Sequence, residues 1–164
     1  MRTRRAILAI ALSITAAGAQ AAPHACFKPA EIEADQAVRF QTELMVLSDT
    51  CGSKTYAHFT ERNREAIVAY QGDVIAHFRR EPGKKPEAAF ESYLTHLANE
   101  EALRGSKLAP AAVCADGAGR LQGADTIAPE GFRHIAADRA ATNRGQYKPC
   151  PGEKAGPGEK AGHR

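Results

Sequence analysis

Apolar residues recur at steps of three and four along most of this chain between Pro29 and Asn143, and no stretch alternates convincingly at period two. That periodicity places each apolar set on one helix face, so the chain has to build its core by packing helix on helix. Ala37, Phe40, Leu44, Leu47 and Cys51 mark a first helix from Pro29 to Cys51. Gly52 suits its stop and Ser53 the N-cap of the next. Tyr56, Phe59, Asn63, Ile67, Tyr70, Val74 and Phe78 mark a second helix that runs unbroken to Glu81-Pro82-Gly83, weakened in its middle by Gly72. Pro86 opens a third, to about Arg104, with Phe90, Tyr93 or Leu94, Leu97 and Glu101 on successive turns and Gly105-Ser106 at its end. A fourth can start at Pro110 and include Val113 and Cys114, but Gly117, Gly119 and Gly123 oppose its continuation. A fifth, from Pro129 to roughly Asn143, buries Phe132, Ile135 and Ala136. The expected fold is all-α: a disulfide-stapled antiparallel helical bundle with three long helices and a shorter C-terminal helical part.

Four cysteines, Cys26, Cys51, Cys114 and Cys150, lie far apart, with no C-x-x-C and no C-x-x-C-H. An even number at such spacing reads as two disulfides rather than a thioredoxin-like, haem-attachment or zinc-knuckle motif. The straight helix between Cys26 and Cys51 separates them by roughly 35 Å at 1.5 Å per residue, whereas a disulfide needs Cα atoms about 5 to 6 Å apart. If the first three helices alternate in direction, Cys51 at the end of the first lies at the same end as Cys114, after the third. Cys51 is therefore expected to pair with Cys114 and, by elimination, Cys26 with Cys150.

Residues 1–21 read as a secretory leader. Arg2, Arg4 and Arg5 precede an apolar run from Ala6 to Ile14, and Ala19-Gln20-Ala21 offers an A-x-A cleavage site, so that the mature chain begins near Ala22. The run is half the length a membrane span needs, and Pro23-His24-Ala25-Cys26 is not a lipid-attachment box. Thr3-Arg4-Arg5-Ala6-Ile7-Leu8 also resembles a twin-arginine export motif. The leader takes three of the 22 basic residues with it, leaving 19 against 19 acids and a formally neutral mature chain. The electrostatic case for a nucleic-acid partner disappears with it, and no stable membrane insertion is expected after cleavage. Glu31, Glu33, Asp35, Glu43 and Asp49 make an acidic face on the first helix, expected to be solvated. Residues 22–150 are expected to form one helical domain. Residues 151–164, a doubled Pro-Gly-Glu-Lys-Ala-Gly followed by His163-Arg164, are expected to be a disordered tail.

No P-loop, G-x-G-x-x-G, G-x-S-x-G, H-E-x-x-H or EF-hand loop is present, and no catalytic residue can be nominated. Four histidines have a carboxylate one turn away: His58 with Glu61, Asp73 with His77, His96 with Glu100, and His134 with Asp138. A bundle could gather such pairs around copper or zinc. Equally, pairs of this kind arise by chance on helical sequence and serve as weak surface interactions. Tyr56, Phe59, Tyr70, Phe78, Phe90 and Tyr93, on consecutive helices, read as core.

Gln41-Thr42-Glu43-Leu44-Met45-Val46 running to Cys51, Tyr56 and Phe59, and Tyr93-Leu94-Thr95-His96-Leu97-Ala98-Asn99 running to Cys114 carry a resemblance. Over residues 26–114 the chain resembles a group of small uncharacterised exported helical proteins of bacteria. The resemblance implies export and a disulfide-bearing helical domain, and carries over no catalytic residue. The expected function is that of a periplasmic or secreted non-enzymatic binding or interaction protein of the bacterial envelope, without a cofactor and with an envelope protein as a candidate partner. The alternative is a periplasmic metal-binding protein that uses the His and carboxylate pairs.

Overall fold

A computed structural model describes residues 25–83 and 85–152. The leader at 1–21 and the tail from 153 onward lie outside the described residues. The described chain is all-helical: α1 (Pro29–Thr50), α2 (Thr55–Arg62), α3 (Arg64–Arg79), α4 (Pro86–Gly105), α5 (Pro110–Ala124), α6 (Pro129–Asn143) and a closing 3-10 turn at Arg144–Gln146. α1, α4, α5 and α6 each begin on a proline, whose fixed φ suits the first turn and whose missing N–H is not needed there. α1 closes in a Schellman motif: Gly52 takes φ +62°, Ser53 N–H reaches Ser48 O at 2.8 Å, and Gly52 N–H reaches Asp49 O at 3.2 Å.

The expected single helix after Ser53 is two. The break falls at Asn63, not at Gly72, which sits inside α3 without interrupting it. Asn63 takes φ −106°, ψ 15° and is wholly buried. Its Nδ2 donates to Phe59 O at 2.9 Å, within α2, and to Ile127 O at 3.0 Å, ahead of α6. The backbone keeps Asn63 N–H on Phe59 O and Ile67 N–H on Asn63 O, both at 2.9 Å, so the side chain pins this junction to the segment ahead of α6. α5 departs from expectation in the other direction, running through Gly117, Gly119 and Gly123 to Ala124. At Gly117 the missing side chain is required: a Cβ there would lie 2.5 Å from Leu47 Cδ1. Glycine lets α5 approach α1 at that point.

α1 is the central strut, against which each of α2 to α6 packs. A helix covered on several sides cannot keep a solvated polar face, and the acidic face expected on α1 is not one. Glu31 and Asp35 are buried, Glu33 accepts from the Tyr70 hydroxyl at 2.8 Å, and Glu43 is gripped by Arg139; Asp49 alone of the five is exposed. The core centres on a ring cluster in which Phe132 lies 5.0 Å from Phe59 and 5.5 Å from Tyr70, both edge-on, with Phe40 5.7 Å from Phe59. Edge contacts of this kind add about 0.5 to 1.5 kcal/mol to the burial of the rings.

Two disulfides join the ends of these elements. Cys51 bonds Cys114, linking the C-terminus of α1 to α5, and Cys26 bonds Cys150, linking the segments before α1 and after α6. Their sequence separations, 63 and 124 residues, correspond in the chain-entropy model to about 4 and 5 kcal/mol of stabilisation.

Candidate functional site

Charged and polar side chains concentrate in two places. The first lies at the N-terminal end of α1. Asp35, buried, accepts hydrogen bonds from the hydroxyls of Tyr93 on α4 and Tyr147 after α6, and from Arg39 Nε at 2.8 Å. Gln36 donates to the Tyr147 hydroxyl and accepts from Asn143 Nδ2 at 3.0 Å. Burial, followed by the Asp35 charge, pushes both phenols well above their ordinary range. One turn earlier, Glu31 accepts from Lys28 N–H at 2.9 Å and from Arg80, and lies 3.3 Å from His77 Nδ1. His77 is 3% exposed, stacked at 3.9 Å on Phe27, with Glu81 4.0 Å from its other nitrogen. Both carboxylates meet donors from separate elements, which suits holding the chain ends together.

The second place is a cleft of about 350 Å³ at the opposite end of α1. α4 and α5 both pack on α1 but scarcely on each other, and the gap between them is floored by α1. Val46, Leu47, Leu108 and Val113 supply apolar lining, and Glu43, Glu101, Arg104 and Arg120 supply charged lining. Glu101 has its carboxyl pushed up, by burial first and then by the charge of Glu43. Arg104 holds Glu101 at 3.0 Å, and Cys51–Cys114 fixes the α1 and α5 walls.

Comparison with protein-family models, curated proteins and solved structures finds no match for this chain. The residues themselves therefore carry the functional reading.

The four His and carboxylate pairs are dispersed over different helices. His58 Nδ1 meets Asp125 at 2.8 Å, while Glu61 faces solvent. His77 faces Glu31 and Glu81, and Asp73 is exposed. His96 and Glu100 form an exposed pair at 3.4 Å, and His134 and Asp138 one at 3.9 Å with side chains 76% and 80% exposed. Among the described residues no group of three or more His, Cys, Asp or Glu is arranged to hold a metal ion. Sequence reasoning placed Asp35 on a solvated acidic face and did not single out Tyr147 or Arg80. A signal did exist on α1, where the apolar and small residues Ile32, Ala34, Ala37 and Val38 spread beyond one stripe, the mark of a helix covered on several sides.

Proposed function

We propose that this chain is an exported, non-enzymatic binding protein of the bacterial envelope: an antiparallel helical bundle, stapled by two disulfides, that presents the α4/α5 cleft to a small ligand. The observation that carries the reading is the cleft itself. Its volume of about 350 Å³ falls in the range of small-molecule sites, and a mixture of apolar side chains with a few polar groups is their usual lining. The leader at 1–21, the oxidised cysteines and the resemblance over residues 26–114 support export.

The test uses mature protein purified from the oxidising compartment. Native mass spectrometry looks for a mass excess that is lost on denaturation, and the fluorescent probe anilinonaphthalene sulfonate is titrated into wild type and Leu108→Asp. Leu108 is exposed on the cleft wall, so the substitution leaves the core intact. Saturable binding that Leu108→Asp abolishes supports the reading. Absence of both probe binding and a mass excess refutes it.

A further inference from the structure

The two disulfides sit in different chemical surroundings. Cys51 and Cys114 join two helices, and among the described residues no cationic side chain donates to either sulfur. Cys26 and Cys150 join two non-helical end segments, and Arg80 from the end of α3 reaches over them. One guanidinium nitrogen lies 3.9 Å from Cys150 Sγ, while the other donates to Cys26 O at 2.9 Å and to Glu31. The same nitrogen is 3.3 Å from His77 Nδ1. The charged and titratable groups near this disulfide include Arg80, Glu31, His77 and, behind His77, Glu81, with Lys28 and Lys148 each two residues from a bonded cysteine.

The end segments meet in a minimal clasp. Phe27 N–H donates to Lys148 O at 2.9 Å and Cys150 N–H to Phe27 O at 3.0 Å, with the Phe27 ring lying over His77 and edge-on to Tyr147. Neither segment belongs to the helical core, so their bond can open without moving a helix. Opening Cys51–Cys114 would instead free α5 from the end of α1.

We infer that Cys26–Cys150 is a redox-addressable clasp, opened by thiol reductants at Cys26 with Cys150 as the leaving group beside Arg80, while Cys51–Cys114 stays closed as the structural staple. The chemistry is thiol–disulfide exchange. A reductant thiolate attacks Cys26 Sγ and forms a mixed disulfide; the Sγ–Sγ bond breaks, and its electron pair leaves on Cys150 Sγ as a thiolate. A second thiolate of the reductant attacks the reductant-side sulfur, releasing Cys26 as its own thiolate and oxidising the reductant to its disulfide. Exchange is faster when the departing thiol has the lower pKa, and an adjacent guanidinium lowers it. That sets the direction of attack: the sulfur next to Arg80 departs and the other is attacked. Once open, the clasp retains its two backbone hydrogen bonds, the Arg80 bond to Cys26 O and the Tyr147 contact, and no covalent link holds Phe27 over His77.

The experiment treats oxidised mature protein under native conditions with reduced glutathione. Aliquots are acid-quenched and alkylated, and peptide mapping identifies which disulfide has opened and which cysteine carries glutathione. The expected result is that Cys26–Cys150 opens first, with glutathione on Cys26 and alkylation on Cys150. Hydrogen exchange should then accelerate at the amides of Phe27 and Cys150 while α1 to α5 keep their protection. Arg80→Gln should slow this opening by about threefold or more without changing Cys51–Cys114, and Arg80→Lys should restore much of the rate. Glutathione on Cys150, prior opening of Cys51–Cys114, or joint opening as the protein unfolds overturns the inference. Because the site of the adduct is read in wild type, a poorly folding Arg80→Gln leaves the test decisive.

Discussion

Three glycines on one helix provide a controlled comparison of backbone entropy against packing. Gly117, Gly119 and Gly123 all lie inside α5. Replacing a helical glycine with alanine gains about 0.8 to 1 kcal/mol of helix propensity, so Gly119→Ala and Gly123→Ala, with nothing within 4 Å of the added methyl, should each stabilise by up to about 1 kcal/mol. Gly117→Ala places its methyl 2.5 and 2.8 Å from the two terminal carbons of Leu47. Overpacking of this kind costs about 1 to 3 kcal/mol, with the low end applying if the flexible leucine end swings away. Net of propensity, Gly117→Ala should be between neutral and about 2 kcal/mol destabilising. The contrast with its two neighbours is then about 1 to 3 kcal/mol. Urea denaturation of the oxidised variants measures it, and thermal midpoints should differ by about 2 to 5 °C per kcal/mol for a domain this size. Leu47 also lines the cleft, so Gly117→Ala should weaken probe binding by pushing Leu47 into it. If Gly117→Ala stabilises as much as Gly119→Ala and Gly123→Ala, the close approach of α5 to α1 is wrong.

Asp35→Asn keeps the shape of the side chain but removes the charge that Tyr93, Tyr147 and Arg39 share; urea denaturation should show a loss of about 2 to 4 kcal/mol. Asn63→Ala strands the Ile127 carbonyl and leaves Phe59 O with the backbone N–H of residue 63 alone; it should cost about 1 to 3 kcal/mol, with faster hydrogen exchange at the α2/α3 junction. Tyr70, Tyr93 and Tyr147 are all raised above the ordinary phenol range, chiefly by burial. The unfolded chain therefore releases these protons near pH 10 while the folded one retains them. Their contribution is complete below about pH 10 and is lost as pH rises beyond it, which urea midpoints taken across that range will show as a steady fall.

Much of the fold was legible because its punctuation is local. Pro29, Pro86, Pro110 and Pro129 open helices by virtue of their own rings, and Gly52 and Gly105 stand where helices end. The pairing of Cys51 with Cys114 followed from helix length and direction alone. What was illegible depended on partners distant in sequence. Asn63 at the α2/α3 junction is held by a bond to Ile127, and position 117 needs glycine because Leu47 fills the space beside it. The acidic residues of α1 looked solvated because their donors, Tyr93, Arg139 and Tyr147, come from α4, α6 and the end of the domain. The cleft, likewise, exists because two helices share a neighbour while packing scarcely on each other, which no periodicity within either helix records.

The two disulfides are nested, with Cys51–Cys114 enclosed by Cys26–Cys150. For a chain delivered N-terminus first into an oxidising compartment, the first two thiols to arrive are Cys26 and Cys51, and these do not pair. Consecutive oxidation would lock the ends of α1 to each other and prevent that helix from forming. Productive maturation must hold both thiols reduced until Cys114 has emerged, or else undo a first, wrong bond. The nested connectivity thus requires that a Cys26–Cys51 bond, if it forms first, be undone before the native pairs can close.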